Sequence, residues 1–386
     1  MKTTTYLASK PRYEILDGLR GVAALIVVAY HLFETYSAGA LYQTLNHGYL
    51  AVDFFFALSG FVIGYAYDDR WDRMSLTDFF KRRLVRLHPL LILGTIIGAL
   101  VFYFGEGDVF PLIGQTPWWM VVLMCVWGFT MIPAPTSLDI RGWGETNCLN
   151  GATWSLMWEY FANILYALVI RHFSKWLLGV FVVLSGVLTV MLCFNIDVFG
   201  VLALRDYAAY TVNGGWCLSP DQLLIGITRL FYPFFVGLLI SRIGKYITVR
   251  GGFWWCSALV VTMLVMPRIG GAEAMWANGM YEAVCILLLF PLVLMIGAGS
   301  KVTGKKSFAL CKFLGDISYP LYITHFPFIY MQNAWGNAHR HLPTSTHVMV
   351  AVGIYILVIG VAYASLKLYD EPVREWLKNR FLIKKK

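Results

Sequence analysis

Charged residues are scarce in this chain of 386 residues. Asp, Glu, Lys and Arg make up 14% of it, while hydrophobic residues reach 58% and aromatic residues 16%. A soluble protein of this length carries about a quarter charged residues. Apolar runs recur along the whole chain, including 90–104, 176–192 and 283–298. Because a membrane span needs about 20 mostly apolar residues, this composition predicts an all-α integral membrane protein.

Signals of secretion, metal binding and redox chemistry are also missing. The first apolar run contains Asp17 and Arg20, and no small-residue cleavage site follows it. We therefore expect a retained span instead of a signal peptide. The seven cysteines lack the spacing of a zinc or redox site, and no metal is expected. Only Cys148 and Cys217 fall in external loops of the predicted topology, where a disulfide between them and two unpaired thiols are both open.

The basic residues cluster in short segments between the apolar runs, which is the cytoplasmic signature of membrane topology. This pattern accounts for the net charge of +9 without a nucleic-acid partner. The clusters lie at 2–12, 81–86, 171–175, 242–250, 301–312 and 384–386. The predicted spans are 15–35, 48–67, 89–104, 152–170, 176–195, 222–241, 253–269, 278–298, 314–333 and 346–368. We expect about ten transmembrane helices in one domain over residues 1–386, with both termini in the cytoplasm.

One further apolar segment, 118–132, would change this count if it crossed the membrane. It is short and is followed by Pro133 and Pro135. A full crossing there would place Arg171 and Lys175 outside, against the charge rule. We therefore expect a re-entrant or shallow element, which is tolerated at membrane depth when protein surrounds it.

The first span carries an acid, a cation and an imidazole on one side. Arg20 and His31 are eleven positions apart, which returns them to within roughly 20° of the same helix face and about 16 Å along the axis. Asp17 lies one turn before Arg20. An interfacial anchor and a hydrogen-bonded core histidine are the structural alternative, but the aligned set favours a functional site because charges in a span are costly.

The second span combines a carboxylate with small residues. Asp53 lies near its external end and Ser59 near its middle. Gly60 and Gly64, at four-residue spacing, favour close helix approach. The usual structural explanation for a serine in a span is a hydrogen bond to its own backbone.

The stretch 75–87 predicts an interfacial helix on the cytoplasmic side. Ser75 and Asp78 make a capping box, and Pro89 disfavours helix at His88. Positive-inside anchoring alone would explain its basic residues, while anionic lipid or the phosphates of a nucleotide are alternative ligands. These basic residues are Lys81, Arg82, Arg83 and Arg86.

Two more ionisable groups lie in later spans. Glu159 needs a partner within an aromatic-rich span, and His31, His325 or an arginine are the candidates. Pro320 and Pro327 flank His325, so its ring has a structural alternative in satisfying carbonyls that the prolines free.

Five stretches, in the same order, resemble the acyltransferase-3 family of ten-span membrane acyltransferases. They are DGLRGVAALIVVAYH (17–31), VDFFFALSGF (52–61), KRRLVRLHP (81–89), WSLMWEYF (154–161) and LGDISYPLYITH (314–325). The tail YDEPVREWLK (369–378) also resembles the closing Glu-Pro segment of the family. The resemblance covers nearly the whole chain, and its most specific element is the Arg, ten residues, His arrangement of the first span.

The resemblance implies an acyl-CoA donor, usually acetyl-CoA, that enters from the cytoplasm, and an acceptor at or beyond the outer face. It implies a catalytic role for Arg20 and His31 and donor binding by Arg83 and Arg86. A structural or functional role falls to Ser59, Gly60 and Phe61. His88 and Ala51 depart from the pattern, which commonly has an aromatic residue and a glycine there. No esterase-like domain follows the spans, so we expect a stand-alone member of the family.

The expected chemistry centres on an imidazole. A neutral His31 would act as general base on the acceptor hydroxyl or as a transient acyl carrier. Asp17, Asp53 or Glu159 would orient its ring, and Arg20 would stabilise the thioester oxyanion or hold a donor phosphate. The catalytic candidates are thus His31, Arg20, Asp17, Glu159 and Asp53. The candidates for donor binding are Arg83, Arg86, Arg82, Ser59 and His325.

A secondary transporter that uses the same ionisable groups as a relay is the alternative. It would show inverted repeats, and the two halves of this chain differ in motif and charge.

The expected partners of an acyltransferase are acyl-CoA, a carbohydrate or glycolipid acceptor and the bilayer of the bacterial inner membrane, while the oligomeric state stays open. The external loops hold a mixture suited to a sugar, namely Trp143, Trp216, Asp139, Glu145 and Asp206.

Overall fold

The computed structural model describes residues 10–37, 42–205 and 209–383. Helices dominate these ranges, and no β-strand occurs within them. Within these ranges, seven helices are long and apolar enough to cross a membrane, which confirms the predicted all-α membrane architecture. The predicted basic residues Lys2 and Lys384–Lys386, and the loop residue Asp206, lie outside the described residues.

The helices follow the order of the predicted spans. Their bounds are α1 Glu14–Glu34, α2 Ala51–Tyr67, α3 Leu76–Leu100, α4 Trp118–Phe129, α5 Thr153–Leu168, α6 Lys175–Cys193, α7 Pro220–Ile243, α8 Gly252–Val265, α9 Trp276–Val284, α10 Phe290–Gly299, α11 Lys305–Thr324, α12 Phe326–Ala338, α13 Thr344–Ala364 and α14 Glu371–Leu377. Wide π-helical turns at Cys285–Leu289 and Ser365–Asp370 join α9 to α10 and α13 to α14. The predicted crossings at α5, α8 and the α11–α12 pair are shorter or interrupted. The count of ten and the cytoplasmic termini stay predictions.

Two parallel helix pairs form the centre of the bundle. Along α1, Gly18 lies against Cys311 and Gly21 against Leu314, so α1 and α11 run in the same direction. Along α2, Gly60 lies against Phe234 and Gly64 against Leu238 of α7, and this pair is also parallel. These directions agree with the predicted alternation, in which α1 and α11 run outward and α2 and α7 inward.

Glycines let these helices touch along their backbones. A Cβ added at Gly60 would lie 2.1 Å from the carbonyl oxygen of Phe234, and one at Gly237 would lie 2.0 Å from that of Ala57. At Gly21 the carbonyl oxygen of Leu314 would be 2.3 Å away. The predicted close approach at Gly60 is therefore confirmed, and the same device joins α1 to α11.

The basic segment and the third span form one continuous helix. Ser75 and Asp78 make the predicted capping box, but the predicted end of an interfacial helix before His88 is wrong, because Pro89 lies inside α3. A proline is tolerated in a bundle where neighbouring side chains supply hydrogen bonds. Tyr319 Oη donates to the carbonyl oxygen of Leu87 over 2.7 Å, and His88 shares a hydrogen bond of 3.1 Å with Tyr160 on α5.

Helix α4 has the dimensions of a re-entrant element. Its 12 residues span about 18 Å, short of the hydrocarbon thickness of about 30 Å. Its end lies beside the last third of α3, where Gly128 contacts Thr95 in the middle of the predicted span 89–104. The chain then turns, and the amide of Ala134 donates to the carbonyl oxygen of Thr146 over 2.9 Å. This position favours the predicted re-entrant element over a full crossing.

The two loop cysteines do not form a disulfide. Cys148 and Cys217 are both free thiols. Cys148 is buried in an apolar cluster with Phe102 and Phe110, whereas the thiol of Cys217 lies 3.7 Å from the carbonyl oxygen of Trp143. The bridge that the sequence left open is therefore absent, because the two side chains have separate surroundings.

The glycine contact between α2 and α7 generates the first prediction. Gly60→Ala forces a methyl group against a backbone carbonyl that cannot rotate away, so we expect a loss of about 1–3 kcal/mol in stability and a lower unfolding temperature in detergent. Gly360→Ala is the matched control, because nothing lies within 4 Å of its added Cβ on α13. Equal unfolding temperatures for the two variants would contradict the proposed packing.

Candidate active site

Arg20 lies at the contact between α1 and α11. Its Nε donates to Ser318 Oγ over 2.8 Å and its Nη2 donates to the carbonyl oxygen of Gly315 over 3.3 Å. Nη2 also forms an ion pair of 3.1 Å with Asp17 Oδ1. Asp17 therefore neutralises Arg20, while α11 holds the guanidinium in place.

His31 lies on the same face of α1, nearer its other end. Its ring centroid is 5.6 Å from that of His325 and 4.8 Å from that of Phe326. Since Arg20 also contacts α11, the predicted shared face of Arg20 and His31 is confirmed. We call the row of Arg20, His31 and the α11–α12 residues beside them the α1 line.

The carboxylate that binds His31 is Glu34, which the sequence interpretation missed. Glu34 Oε2 lies 2.8 Å from His31 Nδ1. A carboxylate accepts hydrogen bonds, so Nδ1 carries the proton and Nε2 of the neutral ring keeps its lone pair. Spacing of three residues on a helix was the available signal. None of the expected orienting residues, Asp17, Asp53 or Glu159, forms a hydrogen bond with His31.

His325 stands at the break between α11 and α12 and is fully buried. Its Nδ1 donates to the carbonyl oxygens of Leu321 and Tyr322 over 3.2 and 2.8 Å, which is the carbonyl-satisfying role that the sequence allowed. Asn150 Nδ2 donates to the carbonyl oxygen of Ile323 over 2.8 Å. Nδ1 must be the protonated nitrogen, so Nε2 is an acceptor, and it has no hydrogen-bond partner in the described part of the chain.

Asp53 belongs to a buried ion pair away from this line. Arg229 Nη2 lies 2.8 Å from Asp53 Oδ2, and the side chains are 1% and 0% exposed. Arg229 also donates to the carbonyl oxygens of Tyr49 and Gly214 over 2.6 and 2.9 Å. The pair thus holds α2, α7 and the loop before α7 together, and the sequence interpretation missed Arg229.

Glu159 joins three of the sequence motifs. Its Oε1 accepts hydrogen bonds from Arg83 Nη2 over 2.6 Å and from Ser59 Oγ over 3.1 Å. Of the partners expected for Glu159, the arginine is the one found. Ser59 bonds this carboxylate, so its hydroxyl reaches beyond its own helix.

Arg86 differs from the other arginines near the start of α3. Its side chain is exposed, whereas Arg82 is half-buried and Arg83 is buried. The positive charges of Arg20 and Arg83 act on Arg86. No carboxylate of the described chain lies within ion-pair distance of it. An anionic ligand would complete this group of charges.

Glu145 lies in the loop before α5 and is buried. It accepts a hydrogen bond from Tyr330 Oη. Burial away from water raises the pKa of Glu145 to about 7. The ring of Phe326 lies 4.8 Å from those of both His31 and Tyr330. Two aromatic rings therefore connect this loop carboxylate to the α1 line.

The other loop residues have mixed surroundings. Trp143 is partly exposed and its ring lies 6.0 Å from that of Tyr330. Asp139 accepts hydrogen bonds from backbone amides within its own loop, which is a structural role. Trp216 packs against Trp154 at 6.4 Å. Over residues 10–37, 42–205 and 209–383, no group of three or more His, Cys, Asp or Glu residues is placed to hold a metal ion.

Known proteins with similar sequences include acyltransferases. Residues 13–367 match the model of a family described as an acyltransferase domain. The chain is 34% identical to "Protein 2 in picA locus" of Rhizobium radiobacter over 40% of this chain and 81% of that protein. It is 26% identical to acyltransferase MdmB of Streptomyces mycarofaciens over 82% of this chain and 78% of that protein. It is 25% identical to O-acetyltransferase OatA of Staphylococcus aureus over 97% of this chain but only 60% of that longer protein. No solved structure matches the chain.

The buried carboxyl of Glu145 generates a prediction of pH dependence. Its pKa is raised from 4.5 to about 7, so the folded state holds the proton more tightly than the unfolded state. The free energy of unfolding is therefore higher at pH 5 and falls as the pH rises toward 7, by up to about 3 kcal/mol. Glu145→Gln, which stays neutral and still accepts from Tyr330, should show a smaller decrease in unfolding temperature between pH 5 and 8.

Glu106→Gln is the control for this measurement, because Glu106 is an exposed carboxylate of a neighbouring loop. It should keep the decrease of the unmodified protein. A Glu145→Gln variant whose unfolding temperature falls as steeply as that control would refute the assignment.

Proposed function

The chain belongs to the acyltransferase-3 family of membrane O-acyltransferases, and from this premise we propose that it transfers an acyl group, in the first place acetyl, from cytoplasmic acyl-CoA to a hydroxyl of a surface carbohydrate or glycolipid. The transfer would take place across the bacterial inner (plasma) membrane, with the acceptor at its outer face. The observation that carries the proposal is the α1 line, in which Arg20 contacts α11 at one end and the imidazole of His31 binds a carboxylate at the other. Membership of this family does not favour the transporter alternative.

The donor phosphates bind the arginines of α3 in this proposal. Guanidinium groups recognise phosphate oxygens through paired hydrogen bonds, and Arg86 is the group whose charge is not already balanced. Glu159 and Ser59 hold Arg83 in position, and Arg82 lies on the same helix.

The distance from Arg20 to His31 along α1 distinguishes between the two functions expected of Arg20, oxyanion stabilisation and phosphate binding. Eleven residues place it about 16 Å from His31 along the axis, too far to contact an oxyanion formed beside His31. We therefore assign Arg20 to a phosphate of the donor. The extended pantetheine arm of an acyl-CoA can bridge that distance, so the thioester would lie near His31 and the nucleotide near Arg20.

His31 is the proposed base. Its Nε2 takes the proton of the acceptor hydroxyl while the hydroxyl oxygen attacks the thioester carbonyl carbon. The carbon–sulfur bond then breaks, and the coenzyme A thiolate leaves with the proton that His31 returns. A route through an acyl-histidine, in which Nε2 attacks first and the hydroxyl second, uses the same residues. In both routes Glu34 holds the proton on Nδ1.

His325 contributes an acceptor beside the base. Its Nε2 would accept a hydrogen bond from an amide N–H of the pantetheine arm, which is the donor-binding role that we propose for it. Glu145 and Trp143 would lie on the outer side in this topology and would bind the acceptor. A carboxylate beside an exposed aromatic ring suits a sugar, which offers both hydroxyl groups and an apolar face.

The central experiment removes the proposed base. His31→Ala should abolish acyl transfer while the protein stays folded. Among the described histidines, only His31 is paired with a carboxylate, so no other imidazole could replace it as the base. The measurement is mass spectrometry of surface glycans, together with acetyl-CoA consumption by the purified protein. Loss of an O-acyl mass increment in both the deletion strain and the variant supports the proposal and identifies the chain and acceptor.

His172→Ala is the control, because His172 is an exposed histidine between α5 and α6. It should leave the glycan profile unchanged. Near-normal turnover by His31→Ala would rule out the assigned base, and absence of both glycan change and acetyl-CoA turnover in the unmodified protein would rule out acyl transfer from this donor.

The positioning role of Glu34 predicts a separate effect. Glu34→Gln permits the wrong tautomer of His31 and removes the charge that stabilises its protonated form, so kcat should fall by about 100-fold or more. The KM for acetyl-CoA should stay unchanged, because Glu34 is the last residue of α1 and lies at the opposite end from Arg20. Glu34→Asp should recover part of the rate, and Glu273→Gln, an exposed loop carboxylate, should have no effect. A merely structural role would lower the amount of folded protein without this split between kcat and KM.

A further inference from the structure

The last helix of the chain continues well beyond one membrane thickness. Thr344–Leu382 is helical over 39 residues, which corresponds to about 58 Å against a hydrocarbon core of about 30 Å. Its final part, comprising the wide turn Ser365–Asp370, α14 and the turn Lys378–Leu382, packs against α3. We call this part the tail helix. It lies against the helix that carries the donor-binding arginines.

The tail helix brings a buried carboxylate to this place. Asp370 is 1% exposed, and its Oδ2 accepts from Arg374 Nη1 over 2.8 Å. Its Oδ1 is buried without a hydrogen-bond partner in the described residues. The charge of Arg86 acts on Asp370, and the charge of Arg374 acts on Arg86. Because the tail helix also packs against α3, we treat Arg86, Asp370 and Arg374 as one group.

The charges around Arg86 do not balance. Arg20 is paired with Asp17, Arg83 with Glu159 and Arg374 with Asp370, so each of these three arginines has one carboxylate. Arg86 is the fourth arginine, and no carboxylate of the described chain forms an ion pair with it, although the charges of Asp17 and Asp370 reach it. The group keeps one positive charge, which an incoming anion would neutralise.

The wide turn of the tail helix determines which side chains face α3. A π-helical turn adds a residue to the helix repeat and rotates the following face, and such turns are frequent at functional sites. Asp370, the last residue of the turn, is buried, while the Lys367–Glu371 ion pair on the same helix is 42% and 47% exposed. The two pairs have the same four-residue spacing but different surroundings.

We propose that Arg374, positioned by Asp370, joins Arg86 to bind a phosphate group of the donor, so that the C-terminal tail helix is part of the donor site. The inference rests on the proposed function for the identity of the donor. Two guanidinium groups suit a phosphate, since each offers a planar fork of donors. A phosphate of an anionic lipid in the cytoplasmic leaflet has the same chemistry. The donor is favoured because Arg83 connects this group to Glu159 and Ser59 inside the bundle, and Arg20 connects it to Ser318 on α11.

The test compares donors with and without phosphate. In nanodiscs of neutral phosphatidylcholine, Arg374→Ala should raise the Kd for coenzyme A by about 10- to 100-fold, measured by calorimetry. Transfer from saturating S-acetyl-pantetheine, which lacks phosphate, should keep its rate and so demonstrate a folded active site. Lys367→Ala is the matched control from the exposed pair and should leave both values unchanged.

The outcomes distinguish failure of the inference about the tail helix from failure of the proposed acyl transfer. Unchanged coenzyme A binding by Arg374→Ala, with normal binding by the unmodified protein, overturns the inference while the proposed function stands. If that variant instead loses bound phosphatidylglycerol in native mass spectrometry and keeps coenzyme A affinity, the phosphate belongs to lipid and the donor assignment is overturned. Failure of the unmodified protein to bind coenzyme A overturns the donor itself.

If Arg374→Ala does not fold, Arg374→Lys, which keeps the charge without the fork, should give a smaller increase in Kd, and no increase overturns the inference.

Discussion

Hydrocarbon cannot solvate a charge, and each ionisable side chain inside this bundle therefore has to find its partner within the protein. The constraint accounts for the ion pairs that join distant segments, Asp53 with Arg229 and Glu159 with Arg83. It also shows which groups are incomplete. Among the described residues, Arg86 forms no ion pair with a carboxylate and His325 Nε2 accepts no hydrogen bond. A substrate that carries phosphates and amide groups would supply what these two side chains lack.

The second constraint is the closeness of the central helices. Backbone contact through Gly21 and Gly60 sets the register of α1 on α11 and of α2 on α7. With that register fixed, Arg20 meets Ser318 and His31 meets His325. The axial separation of Arg20 and His31 then becomes a property of one rigid contact, so the proposed donor, held at one end, would present its acyl group at a defined depth.

Local rules explain some features and fail at others. The capping box at Ser75 follows from its own four residues, and the structure contains it. The helix boundary expected at His88 also followed from a local rule, yet α3 continues through Pro89 because neighbouring helices stabilise it. The spacing of three residues between His31 and Glu34 is equally local, yet the sequence interpretation did not include Glu34 among its candidates. Whether Cys148 and Cys217 form a disulfide depends on the distance between them in the fold, and their spacing in the sequence does not predict that distance.

The sequence by itself determined the membrane character of the chain, the order of its helices and the shared face of Arg20 and His31. Each of these depends on composition or on the periodicity of one helix, and both are local quantities. Only the tertiary structure decided the partners: Arg229 for Asp53, Arg83 for Glu159, and the tail helix for the start of α3. The physical reason is that a periodic pattern identifies the face that a helix buries but not the helix that covers it. Partner choice depends on crossing positions and on the reach of side chains far apart in the chain.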